Sequence, residues 1–433
     1  MSQMEIAGDQ TSSRTERVVL LVLAAVQFTS IVDFMVVMPL GPQLMRTLRI
    51  GPTEFGLIVS SYTFAAAAAG LVISSIVDRF SRRAAFLTLY AGFLLGTLLC
   101  GLAPSYKFLL AARVATGAFG GILGGLSMTI IGDVFPEERR GRATGSLMSG
   151  FALATVVGVP AGLYIGTRFG WHVPFLCLVV LGIPVLVVSA FVLPPLKAHI
   201  GTVHAHPLRS LVETFSDRNH LNAFALIISL MIGAFAVIPY VSDYLVANVG
   251  VPETQLPLVF VAGGALTLIA APLIGKLADR RGKLFVYRAI VPISVVMLVT
   301  VTHLPRVATV VAVAAVSTLM VSNAGRMIAA MAMVTSSVQR HRRGSFMSAN
   351  ASVQHVATGI GACFGGLIIK ELPDHRLQNY GGVGWIAAAV TMASLWFAGR
   401  VRVADDEPVT CEAISLAAAA EATVDVGEPI VGT

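Results

Sequence analysis

Gly275-Lys276-Leu277-Ala278-Asp279-Arg280-Arg281-Gly282-Lys283 lies between two long apolar runs. A variant of the same turn, Ser74-Ser75-Ile76-Val77-Asp78-Arg79-Phe80-Ser81-Arg82-Arg83, lies between two others. In both, an Asp closes an apolar segment, an Arg follows at once, and further cations precede the next apolar segment. Asp78 and Asp279 are 201 residues apart; Arg139-Arg140-Gly141 recurs as Arg342-Arg343-Gly344 at 203, and Gly158 and Gly162 recur as Gly361 and Gly365 at that same 203. Spacing this steady over three segments predicts two homologous halves, parallel repeats related by an axis along a membrane normal.

Composition fixes the medium. Hydrophobic residues make up 56% of the chain, charged residues 12%, and mean hydropathy is +0.81, against about a quarter charged in soluble domains. The chain is read as a polytopic, all-α membrane protein with the lipid bilayer as its solvent. Apolar segments of about 20 residues fall near 18–40, 55–77, 84–103, 106–131, 143–165, 173–193, 221–241, 256–277, 284–302, 307–334, 346–369 and 384–401. Twelve spans result, six on each side of a polar connector. The expected organisation is a tail over 1–17, a six-helix bundle over 18–193, a linker over 194–220, a second bundle over 221–402 and an acidic, disordered tail over 403–433.

The net charge of +7 forms no basic stripe, so nucleic acid is not an expected partner. The cations sit in short clusters between spans, where they act as topology signals. With the amino terminus inside, 21 of the 30 Lys and Arg fall on the inner side and 7 outside: Arg46, Arg49, Lys107, Arg168, Arg306, Lys370 and Arg376. Both termini are therefore expected in the cytoplasm of a cell-membrane protein, which is expected to act as a monomer. His199, His204 and His206 lack Cys or carboxylate partners at ligand spacing, and there is no P-loop, GxSxG or HExxH. No metal, cofactor or enzymatic chemistry is expected.

Two stripes of small residues predict close helix packing. Gly150, Ala154, Gly158, Gly162 and Gly166 recur every four residues, with Pro160 expected to bend the helix, and Ala349, Ala357, Gly361 and Gly365 repeat the pattern in the second half. Arg113, Gly117, Gly121 and Gly125 form a third stripe that begins with a guanidinium.

At these residues the sequence resembles the major facilitator superfamily, and more narrowly its twelve-helix proton-coupled drug and metabolite efflux branch. Gly275, Leu277, Asp279, Arg280, Gly282 and Lys283 fit the loop signature G-x-L-x-D-R-x-G-R/K; in the first copy Ser74 and Ser81 replace both glycines. Arg113, Gly117 and Gly121 look like the fourth-helix motif, and Asp33 with Pro39 like the first-helix motif. Gly158-Val159-Pro160-Ala161-Gly162 is similar to the fifth-helix antiporter motif G-P-x-x-G, with Val159 inserted. The resemblance implies two bundles around a central cavity, alternating access by rocking, and a cytoplasmic gate of Asp78, Arg79, Gly275, Asp279, Arg280 and Gly282. It further implies export of a small molecule in exchange for protons. The alternatives are a proton symporter or facilitator for sugars, or a membrane receptor that transports nothing.

Charges inside the spans are the candidates for chemistry, because intramembrane ionisable residues are functional by default. Asp33 lies six residues before Pro39 and Arg113 six after Lys107, which puts both on the order of 9 Å below the outer surface. An isolated charge there costs at least about 2.5 kcal/mol, so the two are expected to pair. Asp33 is then the proton-binding carboxylate and Arg113 the group that tunes it; a static ion pair is the plain alternative. Arg326, Asn323, Gln354 and His355 share a level near the bilayer middle and are expected to line the cavity. Gln27, Tyr240 and Asp243 are further candidates, Asp243 towards the outside.

Overall fold

The structure, a computed structural model, describes residues 3–77, 80–194, 214–339 and 343–404. Asp78, Arg79, the three connector histidines and all but the first two residues of the acidic tail lie outside the described residues.

Eleven spans among the described residues are long and apolar enough to cross a bilayer. The 26-residue helix α3 (Pro52–Val77) lies between the first two of them and occupies the remaining segment that the sequence predicted. The first half contains α1 (Gln3–Val36), α2 (Gly41–Leu48), α3, α4 (Arg82–Gly101), α5 (Tyr106–Gly120), α6 (Leu123–Val134), α7 (Glu137–Leu153), α8 (Val159–Phe169) and α9 (Val173–Val192). The second contains α10 (Arg218–Phe235), α11 (Val241–Tyr244), α12 (Leu256–Arg281), α13 (Lys283–Thr302), α14 (Thr309–Ser336), α15 (Arg343–Ile368) and α16 (Tyr380–Ala398). A two-stranded hairpin, β1 (Lys370–Glu371) with β2 (Leu377–Gln378), joins the last two.

Local chemistry sets the ends. Ser81 accepts a bond from the Ala84 amide at the start of α4, Ser105 from Phe108 before α5, and Asp217 from Asn219 and His220 before α10, satisfying amides that a helix start leaves open. Gly282 ends α12 at φ 93°, a backbone conformation that a side chain rarely adopts. Gly282→Ala is expected to lower stability by about 1–3 kcal/mol, seen as a lower unfolding midpoint with the loop's neighbours intact.

Three boundaries differ from the sequence reading. The first span ends at Val36 rather than residue 40, because Pro39 and Gly41-Pro42 break it into a turn followed by α2. Helix α1 starts at Gln3, inside the segment expected to be a tail. The fifth span is interrupted over Ala154–Gly158 by a π-helical turn, two residues before Pro160, whose ring and missing N–H disturb the preceding turn.

The glycine stripes seat whole helices. Along α7 and α8 a Cβ on Gly150 would strike the Ala24 carbonyl, on Gly158 Val32, on Gly162 Val36 and on Gly166 Leu40, so the fifth span lies parallel to α1 at a constant offset. The repeat does the same in the second half. Gly361 meets the backbone of Ile232 and Ala236, and Gly365 meets Ala236 and Tyr240, seating α15 on α10.

Helices that alternate in direction give the bundle two ends. One, here the terminal face, holds Glu16, Arg82, Arg139, Gly282 and Arg402; the opposite face holds Arg46, Glu253, Asn248 and the hairpin. One buried apolar cluster contains residues of both halves at the opposite face, including Val36, Leu40, Phe55, Tyr240, Leu245 and Ile369. The two other clusters lie towards the terminal face, and each belongs to a single half: Leu23, Phe86 and Ile130 in the first, Phe224, Tyr287 and Phe346 in the second. The cluster that crosses between the halves thus lies at the opposite face, while those towards the terminal face stay within one half each.

Candidate functional site

Asp33 on α1 and Arg113 on α5 meet, as their shared depth predicts. Arg113 Nη1 donates to Asp33 Oδ2 at 2.8 Å and to the Asp33 carbonyl at 3.4 Å. Both side chains are 0% exposed. Thr97 of α4 donates to Asp33 Oδ1 at 3.0 Å, so both carboxylate oxygens are held. Small residues allow the approach: a Cβ on Gly96 would lie 2.9 Å from the Thr116 backbone, and one on Gly117 would run into the Tyr62 carbonyl. Arg113 Nε and Nη2 have no hydrogen-bond partner among the described residues. The guanidinium carbon instead lies 4.4 Å from the centre of the Tyr62 ring, a cation–π contact that partly replaces the missing bonds.

From Tyr62 the contact continues across the molecule. Its ring centre is 5.1 Å from that of Phe34, which lies 6.2 Å from that of Phe235 in the second half. An aromatic line therefore runs from the ion pair to the seam between the halves. Neither Thr97 nor Tyr62 was legible as part of the site, because nothing in sequence fixes which face of its helix each occupies.

A cavity of about 750 Å³ separates the halves towards the terminal face. Gln27, Gly121, Gly125, Met128, Leu147 and Met148 border it from the first half, and Met347, Ser352, Gln354 and His355 from the second. Its rim reaches Arg82 at the terminal end of α4, where Arg82 Nε lies 3.4 Å from Asp133.

Gln27, Gln354 and His355 thus take the expected position, whereas three other candidates do not. Arg326 is fully buried within the second half, where it donates to Thr391 of α16 at 2.9 Å and bonds Asn323. Asn323 also lies 3.5 Å from Ser294. The guanidinium turns to the Thr391 hydroxyl of a neighbouring helix and to the Asn323 amide of its own, acceptors that hold it within the second half. Tyr240 lies in the closed seam and donates to the Ala362 carbonyl at 2.6 Å, because its ring fills the gap left by Gly56 and Gly366.

At the loop signature, Asp279, Arg280 and Arg281 are exposed, and Asp279 makes no ion pair among the described residues. A Cβ on Gly275 would meet nothing within 4 Å. Lys283 reaches across to the Ala332 carbonyl at 3.1 Å. Among the described residues, the second copy of the expected latch makes no ion pair to the first half.

Comparison with known proteins agrees with this architecture. The chain matches the Major Facilitator Superfamily over residues 23–362 and again over 223–414. It is 28% identical to YtbD of Bacillus subtilis, an uncharacterized MFS-type transporter, over 55% of this chain and 60% of that protein. It is 26% identical to the inner membrane transport protein YdhP of Escherichia coli over 56% of this chain and 62% of that protein. In these matches the chain spans about three fifths of the relatives' length. A crystal structure of a bacterial homolog of the human lysosomal transporter Spinster, inward-facing and unoccupied, shares the fold with a TM-score of 0.67 and 15% identity, over 89% of this chain and 95% of that one. With two matched helical halves, a cavity between them and a family match over most of its length, this chain belongs to the major facilitator superfamily of membrane transporters.

Proposed function

We propose that the chain exports a small organic molecule across the cell membrane in exchange for protons, with the terminal face in the cytoplasm as the 21 to 7 cation split implies. The observation that carries this reading is the enclosed Asp33–Arg113–Thr97 cluster, linked by Tyr62, Phe34 and Phe235 to the seam on which the halves hinge.

Protonation of Asp33 removes the negative charge that holds Arg113. The guanidinium then keeps only the long bond to the Asp33 carbonyl and the Tyr62 ring, and the force balance along the aromatic line changes. Because Asp33 and Arg113 are both sealed here, proton exchange requires the halves to move. That requirement is what couples a proton to access. The loop residues Gly275, Asp279, Arg280 and Gly282, with Asp78 and Arg79 of the first copy, act in the other half of the cycle and latch the cytoplasmic side when it closes.

The cavity favours a drug-like or amphipathic metabolite over a sugar. Its wall carries the large apolar side chains Ile122, Leu126, Met128, Leu147, Met148 and Met347, while its polar groups are mainly neutral ones such as Gln27, Thr129, Ser352 and Gln354, with Arg82 at the rim. Its size lies in the usual range for such ligands, and flexible thioethers accommodate varied shapes. One chain supplies both walls, so a monomer suffices.

Dye-loaded cells test the direction. Expression of the protein is expected to speed dye loss, and a protonophore to abolish that gain. Proton-driven accumulation would favour a symporter, and absence of flux for every class of solute would favour a receptor.

A further inference from the structure

Asp243 lies on α11 at the opposite-face seam, 3% exposed, and neither of its carboxylate oxygens has a hydrogen-bond partner among the described residues. Of the charged groups around it, Arg49 stands exposed at the vestibule mouth, and the others are engaged elsewhere. On α2, Arg46 is clasped by Glu253 of the second half at 2.6 and 3.1 Å, and that bond holds its guanidinium above its usual range. On the hairpin, His375 and Glu371 bond each other at 2.6 Å. The hydroxyls of Tyr240, Tyr244 and Tyr380 donate to the carbonyls of Ala362, Leu304 and Val237.

The seam closes directly onto the acid. Asp243 Oδ2 occupies the space where a Cβ on Gly41 of the first half would stand. Beside it, a vestibule of about 500 Å³, bordered by Pro42, Arg46, Arg49, Glu371 and His375, is lined by Asp243 itself. A bare carboxylate enclosed between two helices, with acidic Glu253 and Glu371 beyond it, is unfavourable; the neutral acid in that place is not. When the halves part at this face, water reaches the group and the charge is tolerated.

We propose that Asp243 is a second proton site, separate from Asp33, which latches the opposite-face seal. The seam shuts when the Asp243 carboxylate takes up one proton from solvent through the vestibule, and the proton returns to the same side when the seam opens. This proton does not cross the membrane, so the latch is independent of what the carrier transports or in which direction. Its sign is fixed: the closed state holds the proton and the open state does not, so acidification on this side favours closure. One proton per closure changes the closed-to-open ratio by at most about tenfold per pH unit.

The test uses the full chain in lipid nanodiscs with its four cysteines replaced and spin labels at Thr47→Cys and Thr254→Cys, two exposed positions each next in sequence to a member of the Arg46–Glu253 clasp that crosses the seam. Distance distributions between pH 5 and 8 are expected to show closure rising as pH falls. Asp243→Asn is expected to stay closed and to lose about tenfold per pH unit of that dependence, while His375→Gln retains it. Equal slopes with and without Asp243→Asn would overturn the proposal. If that variant does not fold, infrared difference spectra decide: a carboxylic-acid band gained on closure, retained in Asp33→Asn and moved in frequency in Asp33→Asn/Asp243→Glu supports the latch, and no such band, or one that Asp33→Asn removes or Asp243→Glu leaves unmoved, overturns it.

Discussion

Arg113→Leu is expected to lower stability by about 3–5 kcal/mol, because it leaves the Asp33 carboxylate enclosed with Thr97 as its remaining side-chain partner. Asp33→Asn should cost a comparable amount, since it strands the guanidinium over Tyr62. The double variant Asp33→Asn/Arg113→Leu carries no enclosed charge at this site, and replacing such a pair with neutral groups is often neutral or stabilising. Its unfolding midpoint should therefore return towards that of the unsubstituted protein, while proton-driven flux stays at background. A purely architectural ion pair would give the other pattern, in which flux recovers with stability.

Gly117→Ala should be the most damaging of the glycine changes. The added methyl meets the Tyr62 backbone carbonyl, which cannot rotate away as a side chain could, so α5 and α3 must separate. Overpacking of this kind costs about 1–3 kcal/mol or more, and the displaced Tyr62 would also leave Arg113 without its ring. Gly125 is the control on the same helical stripe. A Cβ there meets nothing within 4 Å, so Gly125→Ala is expected to stay within about 0.5 kcal/mol. Unfolding midpoints in one detergent compare the two.

Which parts were legible in sequence follows from which parts depend on spacing alone. Asp33 and Arg113 could be paired by counting residues from Pro39 and Lys107, because a span fixes depth at a constant rise per residue. Depth is not direction. Arg326 and Asn323 were expected to line the cavity but turn towards Thr391 and Ser294, and Tyr240 turns into the seam. Rotation about a helix axis is set by neighbours distant in sequence. The same limit hid Thr97 and Tyr62. The repeating glycines did reveal which faces are bare, and the duplicated offset of 203 anticipated that α15 sits on α10 much as the fifth span sits on α1. The break after Val36 and the π turn before Pro160 are proline effects, visible in kind but not in register.

Arg46, Glu253 and Asp243 illustrate a further limit. The clasp between Arg46 and Glu253 joins residues 207 apart, across a seam that exists only because the opposite face is closed. No periodicity within either half encodes it, since its two members belong to different halves.

Proton movement in proteoliposomes tests the central claim most directly. With a cargo gradient imposed and a pH-sensitive dye enclosed, the unsubstituted protein should move protons against the flow of cargo, and Asp33→Asn, once shown to be folded, should move none. Cargo-driven proton movement that persists in folded Asp33→Asn would contradict the account.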